Sequence, residues 1–437
     1  MPAVAAGFEN GRSEPSSKLF PAAFLFAPLV TVAAPRLTPL LLLLVALALF
    51  IAAYRRRHGL RELLAPSLAL GACLAFGVYV FINATWSLDQ DLAYAKAGVL
   101  LGTVLIGFAG TAAAATVDDR QIRRASIAFV VGVSLGAIYL LIELSTKGTL
   151  TSWAMNTVDL LRPDSAKHAS IVAGEVVRLS RSEFNQNVTV LTLAFWPGLL
   201  VLSALPNVPR RGLLVAAFFV LFTLPIAISE HDSSQIGIFL SVLALLLAWR
   251  WRRAVVKALA VLWCAAFVLV IPADLLAYRE QLHLANWLPN SARARIIIWQ
   301  YTAERALENP VLGIGVDSTA TLRDQEKKIA KEKPKGFVFK RATGQHAHNI
   351  FLQTWFELGF VGAVLLALAG VAVALRIVLL PLGAQPYGVA TFTAFAVVAT
   401  FAWGMWQTWF ICAIGLTPLY LRVAAALTGP RAAKQQE

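Results

Sequence analysis

Long apolar runs recur from one end of this chain to the other, and they restrict its fold more than any other feature. Crossing about 30 Å of hydrocarbon takes about 20 mostly apolar helical residues. Only a helix or a closed barrel satisfies every backbone polar group there without water. Runs of this kind cover residues 19–34, 38–54, 66–84, 94–117, 126–144, 188–205, 213–229, 235–249, 254–272, 349–377, 389–403 and 405–426. Composition agrees: of 437 residues, 58% are hydrophobic and 14% charged, where soluble domains carry roughly 25% charged residues. The expected fold class is an all-α polytopic membrane protein with about twelve transmembrane helices. The last two runs are joined by almost nothing.

The net charge of +14 could suggest nucleic acid, but a polytopic protein collects Lys and Arg in its cytoplasmic connectors to fix topology. Arg55, Arg56 and Arg57, then Arg120, Arg123 and Arg124, then Arg210 and Arg211, then Arg250, Arg252 and Arg253 follow alternate runs. Arg431 and Lys434 fall on the same side of the count. Both termini are therefore expected in the cytoplasm: a tail over 1–18, a bundle over 19–427 and a second tail over 428–437. The first twenty residues show no charged segment leading directly into an apolar core and cleavage site, so the first helix is expected to be retained. Cys73, Cys264 and Cys412 all lie in apolar runs and report nothing about redox compartment.

Two long loops remain on the opposite side, 145–187 and 273–348. The second carries Lys327, Lys328, Lys331, Lys333, Lys335, Lys340 and Arg341; long translocated segments are exempt from the charge rule. It reads as largely helical. Residues 291–308 place Ile296, Ile297, Trp299, Ala303 and Ala306 on one stripe before Pro310 stops the helix. Residues 319–333 are charged nearly all round and predict a solvent-facing helix or mobile arm, with a turn at 313–317 between them.

Chemistry concentrates at 346–362, HAHNIFLQTWFELGFVG, where the basic loop enters an apolar run. His348 at a helix N-terminus near arginines is disfavoured as imidazolium, and neutral histidine is the usual general base near neutral pH. The plainer alternative is an interfacial histidine capping the helix with Asn349. Gln353 and Glu357, four residues apart, share a helix face. A carboxylate inside a membrane must find a partner, so interhelical glue is the expectation. Arg178 and Arg181 close the first loop before Asn185 and Asn187; Arg293 and Arg295 open the loop helix. Arginine forks bind phosphate oxygens, and the group suggests an anionic ligand; surface pairs such as Arg181 with Glu183 or Arg305 with Glu308 are the alternative. Glu230, His231 and Asp232 form too small a group to indicate a metal, and neither metal nor cofactor is expected. Walker, Rossmann and zincin patterns are absent.

The pattern His348-Asn349, Leu352, Glu357, Gly359, Gly362 resembles the hallmark of the O-antigen ligase and polymerase family of bacterial envelope glycosyltransferases. Arg295 with Trp299, Asn309-Pro310 and Gly313-Ile314-Gly315 resemble its upstream elements, and Arg178 with Asn185-Gln186-Asn187 a third. Gln186 stands where that family has Pro and Arg181 where it has Gly. Its Ser-Arg pair is missing from 229–235, where His231 or Arg181 could substitute.

The resemblance implies a GT-C-like glycosyltransferase of the bacterial inner membrane with its site facing the periplasm. The donor would be O-antigen polysaccharide on undecaprenyl diphosphate, and the acceptor a sugar hydroxyl of the lipid A core. His348 would take the hydroxyl proton in a metal-independent inverting displacement. Arg178, Arg295, Arg181 and Arg293 would hold the diphosphate, with Asn349, His346, Asn187 and His231 in support. A polymerase using an undecaprenyl-linked acceptor is the nearest alternative. A lipid-linked sugar transporter is a further one, but transporters usually carry broken helices and ionisable groups near the midplane, whereas the polar residues here concentrate in the outer loops, which favours interfacial chemistry.

Overall fold

Apolar runs become helices because each closes its own backbone hydrogen bonds, and polar residues at their starts cap them. The computed structural model describes residues 16–55, 63–158, 169–206, 208–329 and 346–429. Its helices are α1 (Ser16–Ala33), α2 (Thr38–Arg55), α3 (Leu68–Asn83), α4 (Gln90–Ala114), α5 (Asp119–Thr146), α6 (Thr149–Thr157) and α7 (Asn185–Ala204). They continue with α8 (Arg211–Ile228), α9 (Asp232–Arg279), α10 (Asn290–Ala306), α11 (Ser318–Ile329), α12 (Ile350–Leu375), α13 (Gln385–Phe401) and α14 (Thr408–Ala426). Side chains of Ser67, Asp89 and Asp118 accept from backbone N–H groups in the first turns of α3, α4 and α5, satisfying donors that helix geometry leaves free.

Among the described residues, nine helices are long and apolar enough to cross a membrane, and the protein is a multi-pass membrane protein. Each apolar run of the sequence overlaps one of these helices or α1 or α13. The apolar part of α1, Leu19–Ala33, is shorter than a full crossing, and α13 has 17 residues. The 48 residues of α9 would extend about 72 Å as one rod. The helix breaks instead at Trp251 (φ −130°, ψ 47°), beside Arg250, Arg252 and Arg253, so the runs 235–249 and 254–272 occupy separate halves.

Helix α7 lies at the centre, nearly every residue buried from Asn187 to Val201, with α14 beside it. Close approach elsewhere relies on small residues, as membrane helix packing requires. A side chain at Gly132 on α5 would meet the Leu25 carbonyl of α1, and one at Gly136 would meet Val32.

The first long loop departs from the all-α expectation. It holds α6 and an antiparallel hairpin, β1 (Ala169–Val172) and β2 (Glu175–Leu179), turned by Ala173 and Gly174, both with positive φ. The buried Glu143 of α5 pins α6 by accepting from the Thr151 N–H at 2.8 Å and hydroxyl at 3.0 Å. In the second loop, the start of α11 is not solvent-facing, because Ser318 and Thr319 in its first turn are fully buried. Lys331, Lys333, Lys335, Lys340 and Arg341 lie outside the described residues, as do Arg56, Arg57, Arg431 and Lys434.

Helix α12 is not continuous. It breaks at Gly359 (φ 63°, ψ −164°), within the single apolar run 349–377. Freed backbone groups at membrane depth need protein partners, and the turn after α10 supplies them. Ile314 N–H donates to the Phe356 carbonyl (3.1 Å) and Gly315 N–H to that of Glu357 (2.9 Å), while Phe360 N–H donates back to Pro310 (2.8 Å) and Val361 N–H to Val311 (3.2 Å). From α3, the Tyr79 hydroxyl reaches the Leu358 carbonyl at 2.7 Å and the Asn83 amide that of Leu312 at 2.9 Å. Gly313 and Gly359 both have positive φ, and a Cβ on Gly313 would meet the Glu357 backbone and one on Gly359 that of Val311. Only glycine serves at this joint. Asn309-Pro310, Gly313-x-Gly315 and Glu357-x-Gly359 are therefore two halves of one structural element.

Candidate active site

His348 lies among the non-helical residues 346–349 directly ahead of α12. Its φ of 53° is a left-handed conformation that costs a non-glycine residue on the order of 1 kcal/mol, and three contacts hold it there. Trp299 of α10 donates its indole N–H to the Ala347 carbonyl at 2.7 Å. Asn349 caps α12, accepting from the N–H groups of Phe351 (3.0 Å) and Leu352 (3.2 Å). Nδ1 of His348 lies 2.7 Å from the Ala402 carbonyl. A carbonyl only accepts, so Nδ1 carries the proton and Nε2 presents its lone pair. Nε2 has no hydrogen-bond partner among the described residues. Burial lowers the His348 pKa, the bond to Ala402 opposes this, and the charge of Arg295 adds to the lowering.

Two further histidines and one arginine surround this ring. His346 lies with its ring centroid 4.1 Å from that of His348, and its Nε2 is buried without a partner. Burial, with the charges of His348, Arg323 and Arg295, pushes its pKa down to about 3. His231, just before α9, stacks on Trp403 at 5.7 Å and shares a 2.7 Å hydrogen bond between Nδ1 and the Ser234 hydroxyl. Burial and Arg295 lower its pKa to about 3 as well. Arg295 sits one helical turn from Trp299, on the same face of α10, and its charge acts on all three histidines. Burial lowers the Arg295 pKa and nearby Asp232 opposes this; the group stays charged. It forms no hydrogen bond or ion pair with a described residue.

The other predicted arginines are not gathered in the same way. Arg293 donates Nε–H to the His283 carbonyl at 2.9 Å, which turns its fork toward that loop. Arg178 on β2 and Arg181 after it are exposed and make no hydrogen bond with the histidine cluster. Asn187 donates its amide to the carbonyls of Val32 (2.8 Å) and Ala33 (3.1 Å), a tie between α7 and α1. The alternative pair Arg305–Glu308 does form, at 3.3 Å.

Sequence reasoning missed the link between α13 and α14. Ala402 fixes the His348 tautomer, Trp403 backs His231 and donates to Thr189 at 2.8 Å, and Gly404 leaves no room for a side chain against His346. Arg323 was missed too, since α11 read as a solvated charged helix. The expected glue residue Glu357 is fully buried. It accepts from the Thr319 N–H (3.1 Å) and hydroxyl (2.5 Å), the Gln353 amide (3.2 Å) and the Trp406 indole.

A base with an open lone pair under the charge of a guanidinium that no described residue hydrogen-bonds, at one end of a membrane bundle, suits transfer to a hydroxyl from an anionic leaving group. Comparison with known proteins points the same way. Residues 216–367 match the sequence pattern of the O-antigen ligase family, a stretch that contains the histidines, Arg295, Arg323 and the α12 joint. A Rickettsia conorii protein provisionally named a polysaccharide ligase is 21% identical over 365 residues, 81% of this chain and 80% of its own length.

Proposed function

Starting from a chain that carries the O-antigen ligase pattern over residues 216–367, we propose that it transfers O-antigen polysaccharide from undecaprenyl diphosphate to a sugar hydroxyl of the lipid A core. The observation that carries this is His348 under the charge of Arg295: a neutral imidazole with Nε2 open, and a partly buried guanidinium with no hydrogen bond or ion pair among the described residues. Nε2 takes the proton from the acceptor hydroxyl as its oxygen attacks the anomeric carbon. The anomeric C–O bond breaks on the opposite face, giving inversion, and the lipid diphosphate leaves with the bonding electrons. Arg295 meets the charge that develops on it. Arg178, Arg181 and Arg293 line the approach, and His346, His231, Asn187 and Asn349 hold the surrounding segments. Confinement of both lipid substrates to one membrane supplies part of the encounter geometry. The alternation of basic connectors supports an orientation with both termini in the cytoplasm and the 145–187 and 273–348 loops in the periplasm.

The test is a reconstituted assay in lipid nanodiscs with polyprenyl-diphosphate-linked polysaccharide and lipid A-core, read on gels. Polymer appearing on lipid A-core is the expected result. Lengthening of the polyprenyl-linked chain alone would make the protein a polymerase, and no transfer with either acceptor would end the proposal.

A further inference from the structure

Glu357 is the least accessible carboxylate near the site, and no described cation pairs with it. Its two oxygens join three separate pieces of chain. Oε1 takes the N–H and hydroxyl of Thr319 at the start of α11. Oε2 takes the Gln353 amide on its own helix and the Trp406 indole of the α13–α14 link. Gln353 in turn accepts from the Met405 N–H at 3.1 Å. The link has little backbone support of its own: the Gln407 N–H reaches Gly404 only at 3.4 Å. Side chains of α12 thus seat residues 405 and 406, a few positions from the Ala402 carbonyl that holds His348.

We propose that Glu357 is a positioning residue for the base, acting through Gln353, Trp406 and the 402–406 segment to keep the Ala402 carbonyl on Nδ1 of His348. The proposal rests on His348 being the base. A helix that carries both the base at its cap and a carboxylate two turns deeper can fix that base from two sides. Asn349 sets the backbone, and Glu357 sets the opposing wall. Gln is the informative replacement. Its amide NH2 must replace one oxygen, meeting the Thr319 N–H on one flip and the Trp406 N–H on the other, so donor faces donor either way.

The experiment compares wild type with Glu357→Gln, Trp406→Phe and His348→Ala in nanodiscs, using lipid diphosphate-linked donor. It pairs kinetics with 15N-histidine spectra, the His348 signal being assigned by its loss in His348→Ala. Glu357→Gln and Trp406→Phe should each lower kcat on the order of tenfold to a hundredfold, leave the donor KM little changed, and admix the Nε2–H tautomer of His348. Should Glu357→Gln fail to fold, Trp406→Phe, which removes a single N–H, decides alone. A wild-type kcat, a loss confined to KM, or an unchanged tautomer in the folded variants would overturn the proposal. Full activity in His348→Ala would instead overturn the base assignment, a separate failure because the tautomer is read without turnover.

Discussion

His348 and Ala402, 54 residues apart in sequence, share a 2.7 Å hydrogen bond in which a backbone carbonyl decides which imidazole nitrogen is free. A carbonyl holds one tautomer without adding negative charge, unlike the carboxylate that orients many catalytic histidines. The ring therefore stays easy to keep neutral beside Arg295.

Replacing His348 by Ala should lower transfer on the order of 100- to 10,000-fold, the range general-base catalysis supplies, with insertion unaffected. Purified variant in the reconstituted assay is the measurement. Wild-type amounts of polymer on lipid A-core would remove His348 from the chemistry.

Arg295→Lys keeps the charge and loses the fork, so kcat/KM should drop at least about tenfold. Arg323→Ala should weaken donor use, because Arg323 acts on His346 from α11. Arg178→Ala and Arg181→Ala, which remove exposed side chains on and just after β2, should matter mainly at low salt, since exposed charges are screened. A salt-independent loss in either would bring it to the diphosphate instead.

The pH dependence follows from histidines held neutral. The His348 pKa lies below 6.5, and the neutral ring is the reactive form. Activity should persist below that pH and fall only as pH drops through the lowered value. Stability has the same sign. His231 and His346 titrate at about 3 folded and 6.5 unfolded, so the unfolded chain binds more protons between those values and stability rises with pH. The contribution is complete above 6.5 and is lost as pH falls toward 3. Melting temperature at about pH 7.5 and about pH 5 should differ in the wild type and differ less in His231→Gln; equal shifts in both would contradict the assignment.

Gly359→Ala should cost on the order of 1–3 kcal/mol, from positive φ and the close Val311 backbone. Lower melting temperature together with reduced kcat is expected, because the joint ties Arg295's loop to His348's helix. A variant as stable and active as wild type would show the break to be dispensable.

Much of this was readable from residues alone. The apolar runs announce helices because hydrocarbon tolerates little else, and the position of His348 at the loop–helix boundary follows from where polarity stops. The tautomer control was not readable, since it lies in the main chain of an ordinary alanine. Nor was the α12 break: glycines are frequent in membrane helices, and only the docked turn shows why Gly359 must be one. What already engages each arginine was not readable either. A guanidinium's reach says nothing of what already holds it, and the His283 carbonyl engages Arg293.

The backbone bonds that fill the α12 break also restrict how lipid-linked molecules could enter. Hinging the 310–315 turn away from α12 would strand the main-chain groups that now pair across the joint, so among the described residues this side of the site behaves as a fixed jamb. If the donor is the proposed prenyl-linked one, its tail would then enter sideways from the leaflet and not past this turn.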